Sequence, residues 1–204
     1  MFSDITATAR TTSVWLYVYL AAVIVGLLAN AYAVFDPAII RTGDEFGPVD
    51  VIDVSSLVVF IVAGWLTLRW IYRANANAQQ LADDMSVSPR GNVIWFFVPI
   101  GNLWVPFAGV RETWQVSHAP NEWRSVRVPL LLRMWWASWL AESLLGNVSA
   151  RQAFRAEIVD EMVAVHAIEI GVCGFTIVTT LLLIRIIRRL SDAQAHTIAR
   201  HVFA

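Results

Sequence analysis

Residues 91–110 read Gly91-Asn-Val-Ile-Trp95-Phe-Phe-Val-Pro99-Ile-Gly101-Asn102-Leu-Trp104-Val-Pro106-Phe-Ala-Gly109-Val110. The run carries no charge and has the length, about 20 residues, that lets one helix cross a bilayer core of about 30 Å. Its content argues against a plain span. Pro99 and Pro106 each remove a backbone hydrogen bond and crowd the preceding turn, at about 3 kcal/mol in a helix interior, while Gly91, Gly101 and Gly109 weaken what remains. Broken backbone inside hydrocarbon survives only where protein or water covers it. The segment therefore reads as a re-entrant or interfacial hairpin, and whether it crosses decides the orientation of everything after it.

Around it, the chain of 204 residues is 57% hydrophobic and 15% charged, with a formal charge of −1, whereas soluble domains are about 45–50% apolar and about 25% charged. So few charges cannot coat this much apolar surface, and a bilayer must be part of the solvent. The near-neutral balance gives no basis for a nucleic-acid partner. All 15 basic residues are Arg. Cys173 stands alone, forms no internal disulfide, and reads as a small buried hydrophobe.

Four other apolar runs have the length of membrane helices: 14–35, 54–72, 129–145 and 162–187. The first is uncharged and holds Trp15, Tyr17, Tyr19 and Tyr32 toward its ends, as interfacial aromatics are held. Ala31-Tyr32-Ala33 imitates a cleavage site, but the apolar run exceeds the roughly 7–15 residues of a signal peptide's core and only Arg10 precedes it, so a retained span is expected. Residues 36–53 read as an acidic loop, with Pro37, Gly43, Gly47 and Pro48 as breakers and Asp36, Asp44, Glu45, Asp50 and Asp53 against one Arg41. The second span ends with Arg69 placed to snorkel, and its helix is expected to continue past the membrane until Ser86-Val-Ser-Pro-Arg-Gly91 stops it. Gly146-Asn147 should end the run that starts at Pro129. Ser149-Ala-Arg-Gln152 then has the form of a capping box opening a new helix toward the last span, which Arg185, Arg188 and Arg189 close. Residues 190–204 read as a frayed or surface helix.

Arginines gather on the cytoplasmic side of short loops, so each topology can be scored. With an inside N-terminus and no crossing by 91–110, only Arg41, Arg151 and Arg155 fall outside and the other 12 lie inside; a crossing leaves six inside, or nine if the chain is flipped. The expected architecture is an all-α integral membrane protein. It is a four-transmembrane-helix bundle with a Pro-broken re-entrant or interfacial segment between spans 2 and 3. The expected location is the bacterial cytoplasmic (inner) membrane, multi-pass, with both termini cytoplasmic.

Several motifs together resemble a known family. They are Trp70-Ile-Tyr-Arg73-Ala-Asn75-Ala-Asn77, the run from Trp95 to Pro106, Arg111-Glu112-Thr-Trp114, the pair Trp135-Trp136, and Arg188-Arg-Leu-Ser-Asp-Ala-Gln194. From about Asp50 to Gln194 the chain resembles the bacterial membrane family called domain of unknown function 4328. The Pro99 to Pro106 block is the most specific part. The resemblance implies an integral membrane protein of several helices and implies no activity.

Three sets of residues bear chemistry worth following. His166 and Glu169 share one face of the last span. Antiparallel packing would bring them level with Glu142, giving a polar intramembrane cluster suited to a proton or a cation, against the plainer reading of interfacial side chains paired with Arg151 or Arg155. Arg133 and Glu142 lie half a turn apart and about 13 Å along one helix, so they cannot pair with each other. Arg73, Asn75, Asn77 and Arg111 could meet at the mouth of the broken segment and bind an anionic lipid headgroup. Pro99, Gly101, Asn102 and Pro106 could unwind backbone as the discontinuous helices of transporters do, or simply build a hairpin seated by Trp95 and Trp104. No nucleophile elbow, phosphate loop, zinc spacing or dinucleotide fingerprint is present, and no metal or cofactor is expected. The expected function is a noncatalytic membrane module contacting lipids or partner proteins, among them a second copy of itself; the alternative is a small transporter or ion- or proton-handling protein.

Overall fold

The computed structural model describes residues 2–40, 48–82 and 84–203, so Arg41, Gly43, Asp44, Glu45 and Gly47 of the expected acidic loop lie outside the described residues. Among the described residues there are six α-helices: α1 (Ile5–Phe35), α2 (Pro48–Ala78), α3 (Pro89–Ile94), α4 (Val105–His118), α5 (Leu130–Ala153) and α6 (Val159–Phe203). Short 3-10 turns occupy Pro37–Ile39, Trp95–Phe97, Gly101–Leu103 and Pro120–Ser125, and no strand occurs among the described residues.

Among the described residues three helical stretches are long and apolar enough to cross a membrane: Ile5–Phe35, Val54–Ala78 and Val159–His201. The Pro-broken segment forms a bent pair, Pro89–Phe97 and Gly101–His118, whose arms meet at 113°. The fold is thus all-α with three to four apolar helices able to span a bilayer and a bent pair between them. α5 has 24 residues but is not among the apolar helices, because Arg133, Glu142 and the polar residues of its last turns dilute the run that 129–145 was expected to supply.

Element ends differ from expectation in informative ways. α2 does continue past Tyr72, to Ala78. It also starts earlier, since Pro48 opens the helix, a position where the missing N–H of proline costs nothing. α5 runs straight through Gly146 and Asn147 to Ala153. The Asn147 amide donates to Ser143 O within its own helix (2.7 Å), and Ser149 is fully buried in a helical turn rather than capping a new one. The break falls instead after Ala153, and the Glu161 carboxylate accepts the Glu157 N–H (2.8 Å) at the start of α6. α6 then continues for 45 residues, taking in the expected tail.

The chain divides into two compact units, and α1, α2, α5 and α6 each contribute a stretch to both. Unit 2 (Leu16–Val62 and Trp135–Leu181) is made of four helical stretches. Many of its large apolar side chains point outward, Leu28 at 64% exposure and Ile61 at 58%, while Ala33, Asn30, Ser138, Thr176 and Thr179 are buried beside Leu16, Trp135 and Trp136. That inversion is how helices pack in lipid, where small and polar residues let backbones approach and carry hydrogen bonds between helices. Unit 1 (Met1–Trp15, Ala63–Met134 and Leu182–Ala204) holds the bent pair and a core of Trp70, Ile71, Val116, Leu132, Ile186, Ile187 and Leu190.

Candidate functional site

The bent pair is built by local chemistry that the sequence makes explicit. Ser88 caps α3, its Oγ accepting the Gly91 N–H (3.1 Å), and Pro89 occupies the first turn. At the bend the Gly101 N–H donates to Pro99 O (2.8 Å) across Ile100, whose φ is 69° and ψ −54°. This is a γ-turn of the rarer, strained hand, and a β-branched residue with positive φ is a genuine outlier. Pro106 begins α4, again where its missing N–H is harmless. Two glycines let the arms close. Trp95 lies over Gly101, where a Cβ would meet the ring at 2.4 Å, and Asn92 lies on Gly109 equally closely. The bend leaves an uncharged apolar tip, with Phe97 at 72% and Ile100 at 70% exposure beside exposed Ile94, Leu103 and Trp104.

Beneath the hairpin lies a buried network of amides and hydroxyls in unit 1. Asn77 and Gln194 hydrogen-bond to each other (3.2 Å); Asn77 also accepts the Ser3 N–H and donates to Ser3 O. Gln194 donates to Ala74 O and Ser117 Oγ, while Thr197 donates to Ser117 O. Asn75 donates to Thr113 Oγ1 (3.1 Å), and Trp70 donates to Ser191 Oγ (3.0 Å). Glu112, buried on α4, accepts both the backbone N–H and the hydroxyl of Ser86 and so ties down the loop before α3. Asn75 Oδ1 and both amide atoms of Asn92 are buried without a hydrogen-bond partner, and a gap too narrow for a water molecule runs between Asn92, Thr113, Trp70 and Leu190.

The proposed headgroup set thus separates. Asn75 and Asn77 are completely buried and brace the interior, while Arg73 donates to Thr8 Oγ1 (2.6 Å) and is only partly covered, as is Arg111. Asn92, Thr113, Ser117 and Gln194 were not singled out from sequence. The signal was there, since Thr113 and Ser117 are four apart and Ser191 and Gln194 three apart, each pair on one helix face. On the surface, Asp84 accepts from Trp123 Nε1 (2.9 Å) and pairs with Arg124, which stacks over the same ring. The Trp123 hydrogen bond does most to lower the Asp84 carboxyl, and with the Arg124 guanidinium it holds that carboxyl below its ordinary value against the opposing effect of burial.

In unit 2 each member of the expected cluster has neighbours of its own. Glu142 faces the hydroxyls of Thr176 and Thr179, whereas His166 Nδ1 bonds to Asn30 Oδ1 (2.8 Å), about 15 Å up the same helix from Thr176 at 1.5 Å per residue. Glu169 lies between these levels, half-buried.

Among known proteins, the family model described as Domain of unknown function (DUF4328) matches residues 31–192. The chain belongs to the DUF4328 family. The match begins inside α1, earlier than the resemblance from Asp50, and stops just short of Gln194. It therefore contains the bent pair, Asn75, Asn77, Asn92 and Glu142, and leaves the Gln194 and Thr197 end of the network outside. No curated protein and no solved structure matches the chain.

Proposed function

We propose that this DUF4328 protein is a noncatalytic membrane module that seats its hairpin in one leaflet of the bacterial cytoplasmic membrane and contacts lipids there. The supporting observation is the tip: Ile94, Phe97, Ile100, Leu103 and Trp104 all turn outward on a segment with no charge from Gly91 to Val110. An apolar surface of this kind on a protein that already carries membrane helices is matched by acyl chains. Arg90 and Arg111 stand at the two bases of the hairpin, where anionic headgroups would lie. The Arg partition supports both termini on the cytoplasmic side and the hairpin in the inner leaflet, a topology in which α5 crosses beside the three more apolar helices despite Arg133 and Glu142.

A spin label at Ile100→Cys in a Cys173→Ser background, in nanodiscs, tests this. Relaxation by oxygen with protection from a water-soluble nickel chelate is expected at 100, and the reverse at a label on Asn121→Cys. Water-like accessibility at 100 overturns the hairpin's seating. A reporter fused at Pro120 that is active outside the cytoplasm, with one at Ala204 active inside, overturns the topology.

A further inference from the structure

Unit 2 contains an oxygen cluster that is short of protons. Glu142 Oε2 is buried and has no hydrogen-bond partner. The hydroxyls facing this carboxyl are those of Thr176 and Thr179 on α6. Each hydroxyl has one proton to give, and other acceptors compete for all of them. Thr176 Oγ1 is 3.0 Å from Val172 O, Thr179 Oγ1 is 3.0 Å from Ser138 Oγ, and Ser138 Oγ is 2.9 Å from Trp135 O. Three protons are thus spread over two carbonyls, a serine oxygen and two carboxyl oxygens. Tyr19 on α1, which lies near Glu142, can gain only negative charge and cannot neutralise it.

Glu142 is half-buried, and its covered, unpartnered oxygen favours a positive species beside it, since an unpaired charge out of water costs far more than a lost hydrogen bond. The ligand set defines which. Hydroxyl and carboxylate oxygens suit hard cations. One carboxylate supplies a single negative charge, and among the described residues no trio of His, Cys, Asp or Glu comes together that would suit a divalent ion. We infer that Glu142, Ser138, Thr176 and Thr179 form a binding site for a small monovalent cation, a proton or Na+, held between α5 and α6. The site is independent of the hairpin and its lipids.

The test is carbodiimide modification of the full-length protein in nanodiscs. Dicyclohexylcarbodiimide reacts with protonated carboxyls in apolar surroundings, and peptide mapping by mass spectrometry reads Glu142 and Glu169 separately. If the site takes Na+, labelling at Glu142 falls by about tenfold at a Na+ concentration ten times Kd at fixed pH, with no such change at Glu169, and K+ or choline protects less. If it takes a proton alone, labelling falls as pH rises and Na+ has no effect. Thr179→Val, which keeps the side-chain shape, should abolish Na+ protection or displace the pH profile while leaving helical content unchanged. Labelling at Glu142 that ignores both pH and Na+, or no labelling at any pH, overturns the site. So does a Thr179→Val protein that behaves as wild type.

Discussion

The side chain of Asn92 rests directly on the backbone of Gly109, so that a methyl group at 109 would come within 2.4 Å of Asn92 Oδ1. That contact joins α3 to α4 at a point where the amide is fully buried, and it sets how closely the arms of the bent pair can approach. Gly109→Ala should therefore push the arms apart. Overpacking of this kind costs about 1–3 kcal/mol. Thermal unfolding in detergent should fall accordingly, and Asn92→Ala in the same chain should recover part of the loss by making room. An unchanged midpoint for Gly109→Ala would show that the arms are not clamped there.

The second closure, Trp95 over Gly101, should be softer. A Cβ at 101 would meet the far edge of the Trp95 ring at 2.4–2.5 Å, but that ring is 37% exposed and free to swing outward. Gly101→Ala is expected to cost less than Gly109→Ala and to raise the accessibility of Trp95 to an aqueous quencher. A larger loss at 101 than at 109 would reverse this ranking.

Gln194 holds three partners at once, Asn77, Ala74 O and Ser117. Gln194→Ala removes one acceptor of the Asn77 amide and one donor each to Ala74 O and Ser117 Oγ. Asn77 keeps Ser3 and Ser117 keeps Thr113 O, so the cost is that of one buried N–H left unsatisfied, about 1–3 kcal/mol. The expected result is a lower unfolding midpoint together with faster amide exchange in the first turns of α1, because Asn77 also holds Ser3. Removal of Gln194 without either effect would mean that the network is not cooperative.

Asp84 gives a pH dependence with a definite sign. Its carboxyl is held below the ordinary value by the Trp123 hydrogen bond and then by Arg124, so the linkage is fully present above the ordinary aspartate value and is lost as pH falls through the lowered one. Carboxyl NMR of Asp84 should show this low titration. Trp123→Phe should move it upward even though Arg124 remains, and no movement would assign the effect to Arg124 alone.

Much of this was readable before any coordinates. Pro99 and Gly101 announce the bend, and α2 continues past Tyr72 as expected but ends at Ala78, eight residues before the Ser86 stop that the sequence offered. Two kinds of information were missing. Gly146 and Asn147 look like a stop, yet nothing crowds a Cβ at 146 and Asn147 bonds within its own helix, so the helix passes through them. Asn75 and Asn77 look like surface residues beside Arg73, and only the fold shows that Gln194 and Thr113, far along the chain, take up their amides. Local signals say where a helix weakens; they do not say what a distant partner will satisfy.

Ile100 sets two selections against each other. A β-branched residue in a strained γ-turn costs about 1–3 kcal/mol that glycine would avoid. Screening a library at position 100 for thermostability in a mild detergent should enrich glycine, because micelles accept any tip. Screening the same library for retention in native membranes should keep large apolar residues. The two winners should differ at this one codon, and the gap between them measures what the bilayer contributes to holding the hairpin.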